Sequence, residues 1–318
     1  MVTRLRRTMV KPPENTTVRR ITRRRLGAPE PAPARRADAD GKIVELDEDS
    51  PLVEYLKRVR STPRAMRGGD YLHVSDLIHR CLRKSALCEK YNVKPRPQVL
   101  TLGDRFTFAQ GEAIHDTAKQ MFVESAPNEI WGRWRCHCGF LHHEEPCTLE
   151  ETDVDEVCPQ CRKKCNIYEE VPMFDDELMV VGNPDLLHYR QAIQAFHVSE
   201  LKSISHDQWK DLKRPLPDHV LQAIFYWRIM HRRGYPLTDH VSILYVTKGW
   251  VFGYTSPVKE FVLKVAPELP RLNDMIEDAI AYRDAKKSGR LPIRIKCSTT
   301  ESPDAKNCEV CQLCFQER

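Results

Sequence analysis

Gly182-Asn183-Pro184-Asp185-Leu186-Leu187-His188-Tyr189, followed after a short connection by Ala195-Phe196-His197-Val198-Ser199-Glu200-Leu201-Lys202, decides how this chain folds. Apolar residues at 178–181 and 186–189 read as strand on either side of a bend, because Gly182 and Pro184 punctuate the run. Residues 195–201 form the next strand candidate, with Ser199-Glu200-Leu201-Lys202 at its end. Working outward, Val220, Leu221, Ile224, Phe225, Ile229 and Met230 recur at helical spacing and predict an amphipathic helix over 218–233. Strand is expected again at 241–246, 251–254 and 261–265, and a long helix over 267–287 meets a stop at Gly289. Upstream, Ser75 is placed to cap a helix carrying Leu77, Ile78, Cys81, Leu82 and Ala86. A second helix is expected over about 103–124, with Phe106, Ile114, Met121 and Phe122 on it and His115 inside it. Helix, strands, helix and strand in that order predict a mixed α/β domain.

The two quoted segments also carry chemistry. Residues i and i+2 of a strand share a face, so Glu200 and Lys202 point together while Leu201 turns away into the core. If the two strands pair, Asp185 joins them. Two carboxylates on one polar face suit Mg²⁺ or Mn²⁺, which take hard oxygen ligands. An adjacent ammonium group can orient a water and offset charge on a phosphate. Each segment alone is commonplace, since an Asp at a turn and a Glu-x-Lys on a strand are usually solvated surface.

Together, Pro184-Asp185 and Glu200-Leu201-Lys202 resemble the signature of the PD-(D/E)XK nuclease superfamily. Gly111-Glu112-Ala113-Ile114-His115 and Gln222-Ala223-Ile224-Phe225-Tyr226 narrow the resemblance to its RecB-like branch, which includes CRISPR-associated iron–sulfur nucleases and phage exonucleases. The resemblance implies a restriction-endonuclease-like mixed central sheet flanked by helices, spanning about residues 71–318. It implies His115, Asp185 and Glu200 as Mg²⁺ or Mn²⁺ ligands, Lys202 serving the attacking water, and Gln222 and Tyr226 supporting the lysine and the substrate. Gln222 and Tyr226, four apart, fall on one helix face.

Twelve cysteines, without an apolar secretory segment at the start, point to metal ligation in a reducing compartment and away from a disulfide framework. Cys136-His137-Cys138-Gly139 and Cys158-Pro159-Gln160-Cys161 resemble the two knuckles of a zinc ribbon. Cys147, Cys165, His137, His142 and His143 stand within reach as substitutes. Residues 131–169 are therefore expected as a zinc-ribbon-like insertion, with Trp131 and Trp134 placed to pack it or, alternatively, to stack on bases. The iron–sulfur branch joins one early cysteine to three late ones around a 4Fe–4S cluster. By that resemblance Cys81, Cys297, Cys308 and Cys314 are the ligands, with Cys311 an alternative to Cys297 and structural zinc a rival occupant.

The net charge of +5 is concentrated at one end. Residues 1–36 hold eleven Arg or Lys against Glu14 and Glu30, a local +9 that leaves about −4 for the rest. Residues 1–50 read as a disordered Arg/Pro-rich tail, able to attract phosphate backbone without reading sequence or simply to solubilise, and 51–318 as the nuclease domain with its cysteine cluster at 297–314. No apolar run is long enough to span a membrane. The expectation is a DNA exonuclease acting on ends or single strands, cytoplasmic (in the host cytoplasm if phage-encoded), with recombination or repair partners and no legible oligomeric state. The alternative is a catalytically silent nuclease fold serving as a nucleic-acid-binding or recombination/repair adaptor.

Overall fold

Alternation along three strands explains how the molecule is layered. Leu187, Val198 and Ile243 pack with the helix that follows, whereas Leu186, Leu201 and Leu244 belong to a separate cluster with Val123, Ile130 and Trp134. Both faces of the central sheet are therefore covered, as the period-2 geometry of strands requires. The computed structural model describes residues 71–79, 81–93, 101–141, 145–152, 157–249, 256–294 and 296–317. All of them lie in one unit spanning 60–318. The expected disordered tail, the strand expected at 251–254, and His142 and His143 fall outside the described residues.

The protein is mixed α/β. Its central sheet consists of β7 (Leu186–Arg190), β8 (Ala195–Ile204), β9 (Leu237–Thr247) and β10 (Val258–Lys264), in the order β10-β9-β8-β7. The β8–β9 pair is parallel and the outer two pairs are antiparallel. A parallel neighbour needs a crossover, and here α4 (His206–Asp211) and α5 (Pro217–Arg232) supply it. Helix α5 buries Val220, Ala223, Ile224, Phe225, Ile229 and Met230 against the sheet, matching the apolar stripe seen in the sequence except that Leu221 is only half-buried. A smaller sheet sets β6 (Val180–Gly182) between β5 (Met173–Asp175) and a two-residue β1 (Leu72–His73). Helix α6 (Leu269–Ser288) ends where Gly289 takes a left-handed conformation at φ 71°, which glycine adopts without steric cost.

Several boundaries differ from expectation. Ser75 is not a cap: α1 (Val74–His79) already contains it, and a separate helix α2 (Leu82–Lys90) begins after Cys81, which occupies its N-cap position in extended conformation. The break places Cys81 off the helix cylinder. Strand β8 runs to Ile204, so Glu200 and Lys202 sit within it instead of at its end. Helix α3 (Leu102–Ser125) is anchored by a reciprocal capping box between Thr101 and Asp104.

The segment expected as an insertion is tied into the body by its two legs. Strand β2 (Trp131–Arg135) pairs antiparallel with β4 (Ile167–Glu169) and with the short β3 (Cys147–Thr148). Trp134 is fully buried beside Leu186 and Leu201, and its indole N–H donates to the Cys147 carbonyl at 3.0 Å. Trp131 packs edge-on against Phe196 and Tyr235. Both tryptophans serve packing. Among the described residues, no helix is long and apolar enough to cross a membrane.

Candidate active site

Asp185 follows the Gly182-Asn183-Pro184 bend and stands at the mouth of the β7–β8 ladder, whose pairing includes Leu186 with Ser199. There its Oδ2 accepts a hydrogen bond from the Leu201 backbone N–H at 2.8 Å, so a side chain completes the ladder. Gly182 is required by what lies over it: a Cβ at that position would come within 2.3 Å of the Tyr226 ring. Tyr226 in turn accepts a hydrogen bond from the Gln222 amide at 2.7 Å, one helical turn away on α5. The bend, the helix pair and the aspartate thus fit together as one packed unit.

Glu200 and Lys202 leave β8 on the face opposite Leu201, as the alternation demands. Lys202 Nζ is 2.5 Å from Glu200 Oε1. The other carboxylate oxygen, Glu200 Oε2, is buried and has no hydrogen-bond partner among the described residues. Helix α3 brings His115 to the cluster, with Nδ1 3.7 Å from Asp185 Oδ1. The structure therefore assembles Asp185, Glu200, Lys202, Gln222, Tyr226 and His115 in one region.

Two further charged groups belong to it. Lys119, one turn beyond His115, is salt-bridged to Glu170 and lies 3.4 Å from Asp185 Oδ1. Sequence reasoning passed over both. Lys119 had one available signal, its i+4 relation to His115 on a single helix face; Glu170, at the end of the cysteine-rich segment, had none.

Electrostatics separates the two central carboxylates. Burial pushes Glu200 up, and the neighbouring Asp185 charge adds to it; Lys202 offsets only part, leaving the pKa at about 8. Burial also works against Asp185 as an anion, but neighbouring His115 and the Lys119 and Lys202 charges outweigh it and hold its carboxyl well below the usual range. The phenol of Tyr226 is raised by burial and by Glu200, so it remains protonated at neutral pH. Paired acids driven in opposite directions are characteristic of functional sites.

A second constellation lies in the cysteine-rich segment. The sulfurs of Cys136, Cys138, Cys158 and Cys161 all lie within 4.8 Å of one another, with Cys136–Cys161 at 3.1 Å and Cys138–Cys158 at 3.5 Å. Among the described residues this is the one group of metal-ligand atoms so closely gathered. Two backbone turns present the sulfurs. Gly139 N–H donates to the Cys136 carbonyl with Gly139 at φ 93°, and Arg162 N–H donates to the Cys158 carbonyl. Burial works to raise the Cys158 thiol, yet backbone N–H groups of Cys161 and Gln160 bring it down to about 7. Cys165 is buried in the same cluster and pushed up to about 11, first by burial and then by the sulfurs of Cys136 and Cys158. It packs the site as a thiol. Cys147 sits at β3, His137 is exposed, and neither joins the group.

The remaining cysteines meet at the opposite end of the sequence. Cys81, Cys297, Cys308, Cys311 and Cys314 line one small cavity together with Lys84 and Arg294. All five candidates are present, so the fold does not choose between Cys297 and Cys311. Buried Arg83 donates from Nε to Cys314 Sγ at 3.3 Å and from its terminal nitrogens to the carbonyls of Pro292 and Glu317. Cys88 is buried in α2 beside Val310 and Cys314.

Another cavity, lined by Phe122, His188, Arg190, His197, Ser242 and Glu260 among others, opens on the sheet face that carries Leu201. His197 bridges Thr238 and Ser242 at 2.9 Å through its two ring nitrogens, and burial lowers its pKa to about 4. It is a neutral cross-strand tie.

The raised Glu200 pKa has a thermodynamic sign. Without metal, the folded state keeps a proton on Glu200 that the unfolded chain releases above its ordinary value of 4.5. The native state binds more protons between 4.5 and about 8, so this residue makes stability fall as pH rises through that window. Replacing Glu200 by Gln removes the penalty. In metal-free buffer the melting temperature of Glu200→Gln relative to wild type should rise from pH 5 to pH 9; a constant difference would contradict the assignment.

No protein-family model matches the chain, and no curated protein is similar to it.

Proposed function

We propose that this protein is a metal-dependent DNA nuclease of the PD-(D/E)XK type, acting as an exonuclease on ends or single strands. The observation that carries the reading is the assembly of Asp185 beside His115 and of Glu200 beside Lys202, with Glu200 Oε2 buried and without a hydrogen-bond partner among the described residues. His115, Asp185 and Glu200 would hold Mg²⁺ or Mn²⁺, and two buried carboxylates with an imidazole are a donor set suited to such an ion. When bound, a divalent ion lowers the pKa of its water and neutralises phosphate oxygens.

The protein's own groups have complementary tasks. Burial disfavours the Lys202 ammonium, but Glu200 and Asp185 outweigh it and keep the amine charged. As a charged donor, Lys202 can fix an attacking water and stabilise negative charge developing on the phosphate. Tyr226, locked by Gln222 and still protonated, can donate to a non-bridging oxygen. Departure of the 3′-oxygen follows from the family resemblance.

For the cysteine tetrad we infer structural Zn²⁺. Tetrahedral thiolate coordination at about 2.3 Å separates sulfurs by roughly 3.8 Å, close to the spacings here. Four thiols fill the coordination sphere, which leaves no open position for catalysis. For the cavity between Cys81 and the C-terminal cysteines the resemblance favours a 4Fe–4S cluster, and the Arg83 N–H directed at Cys314 Sγ suits a thiolate there.

Two experiments address these readings. End-labelled single- and double-stranded DNA, incubated with Mn²⁺ and anaerobically purified protein, should be degraded, with the rate lowered on the order of 10² or more in Glu200→Gln and Lys202→Met. Binding without cleavage would instead favour the adaptor function. Elemental analysis should find one zinc per chain that is lost in Cys158→Ser; zinc retained in full by that variant would rule out the tetrad.

A further inference from the structure

The site holds more charge than the proposed reaction uses. Glu170, Asp185 and Glu200 are three carboxylates served by two ammonium groups. Lys202 has a role beside Glu200, whereas Lys119 has none in the chemistry above. Its side chain is only 13% exposed, and it is wedged between Glu170 and Asp185, which come from different parts of the chain. Burial disfavours its ammonium form, and the two carboxylates overcome that cost. A lysine brought to the surface by chance would have been solvated.

A cation shared between two carboxylates, beside another ligand group, is the arrangement that a second divalent ion needs in a two-metal phosphodiesterase site. In this protein the shared cation is covalently part of α3. His115 and Lys119, one helical turn apart, both approach the same oxygen of Asp185. Whatever ion His115 and Asp185 help to bind must therefore sit beside an ammonium group already in place.

We propose that Lys119 fills the place of a second cation, so that the site accepts one divalent ion through His115, Asp185 and Glu200 and excludes another between Asp185 and Glu170. The inference rests on the metal-dependent reading given above. Its physical content is an exchange of charge. With Lys119 removed, partly exposed Glu170 and buried Asp185 face each other without the ammonium group that pairs with both, which is unfavourable. A divalent ion would then enter to restore the balance. Lys119 also contributes a fixed single positive charge near the reacting phosphate, with no dependence on metal concentration.

The test counts ions on the full chain carrying its zinc and iron. Mn²⁺ titration at pH 8, followed by the electron paramagnetic resonance signal of the free aqueous ion, should give one bound ion for wild type. Lys119→Met and Lys119→Gln should each bind two, and the double variant Lys119→Met/Glu170→Gln should return to one. Mn²⁺ should also raise the melting temperature of the single variants more than that of wild type, because binding to the native state alone stabilises it. Two ions on wild type, or only one on both Lys119 variants, would overturn the role given to Lys119 and leave the nuclease reading intact. No Mn²⁺ bound to wild type would overturn both.

Discussion

The hydrogen bond from the Leu201 amide to the Asp185 carboxylate is the contact on which the rest of the site depends. A carboxylate that completes a β-ladder cannot swing away without leaving a buried N–H unpaired, at a cost of about 1–3 kcal/mol. Its position is therefore set by the strand register, and the register is set by apolar alternation on both faces of the sheet. Burying that anion demands counter-charge. His115 and Lys119 arrive from α3 and Lys202 from β8, so two layers of the domain are tied electrostatically at one point. Removing one partner of such a buried set costs about 3–5 kcal/mol, which makes the constellation sensitive to each member.

Glu200 shows the opposite side of that constraint. Pressed between burial and the Asp185 charge, it binds its proton more tightly than an ordinary carboxyl, and one of its oxygens has no hydrogen-bond partner among the described residues. An ion binding there would displace the proton, coupling metal affinity to pH. The cysteine tetrad serves the same region from a distance. Its two turns close the end of the β2–β4 pair, and β4 runs directly into Glu170, so the cysteine turns hold the strands that deliver a site residue.

The legible part of the sequence was the part governed by short-range geometry. Glu200 and Lys202 follow from period-2 alternation, Gln222 and Tyr226 from the helical repeat, and the tetrad from two knuckles with ligand spacing. Mixed α/β architecture followed from the order of periodic segments. Gly182 was readable as punctuation, although its tight approach to Tyr226 was not. What escaped was long-range. Glu170 and Lys119 lie 51 residues apart and meet only because the cysteine-rich segment returns along β4. The helix break at Cys81 was hidden because Leu77, Ile78, Leu82 and Ala86 keep a plausible repeat across it, while the cavity with Cys297, Cys308, Cys311 and Cys314 is a tertiary feature.

The central claim is that the buried carboxylates around Asp185 form a divalent-cation site. Anomalous diffraction from crystals soaked in Mn²⁺ addresses it most directly. The account predicts one anomalous peak bounded by His115, Asp185 and Glu200, with Lys119 still paired to Glu170. Crystals of active, fully folded protein whose difference maps show no ion at those residues would contradict it.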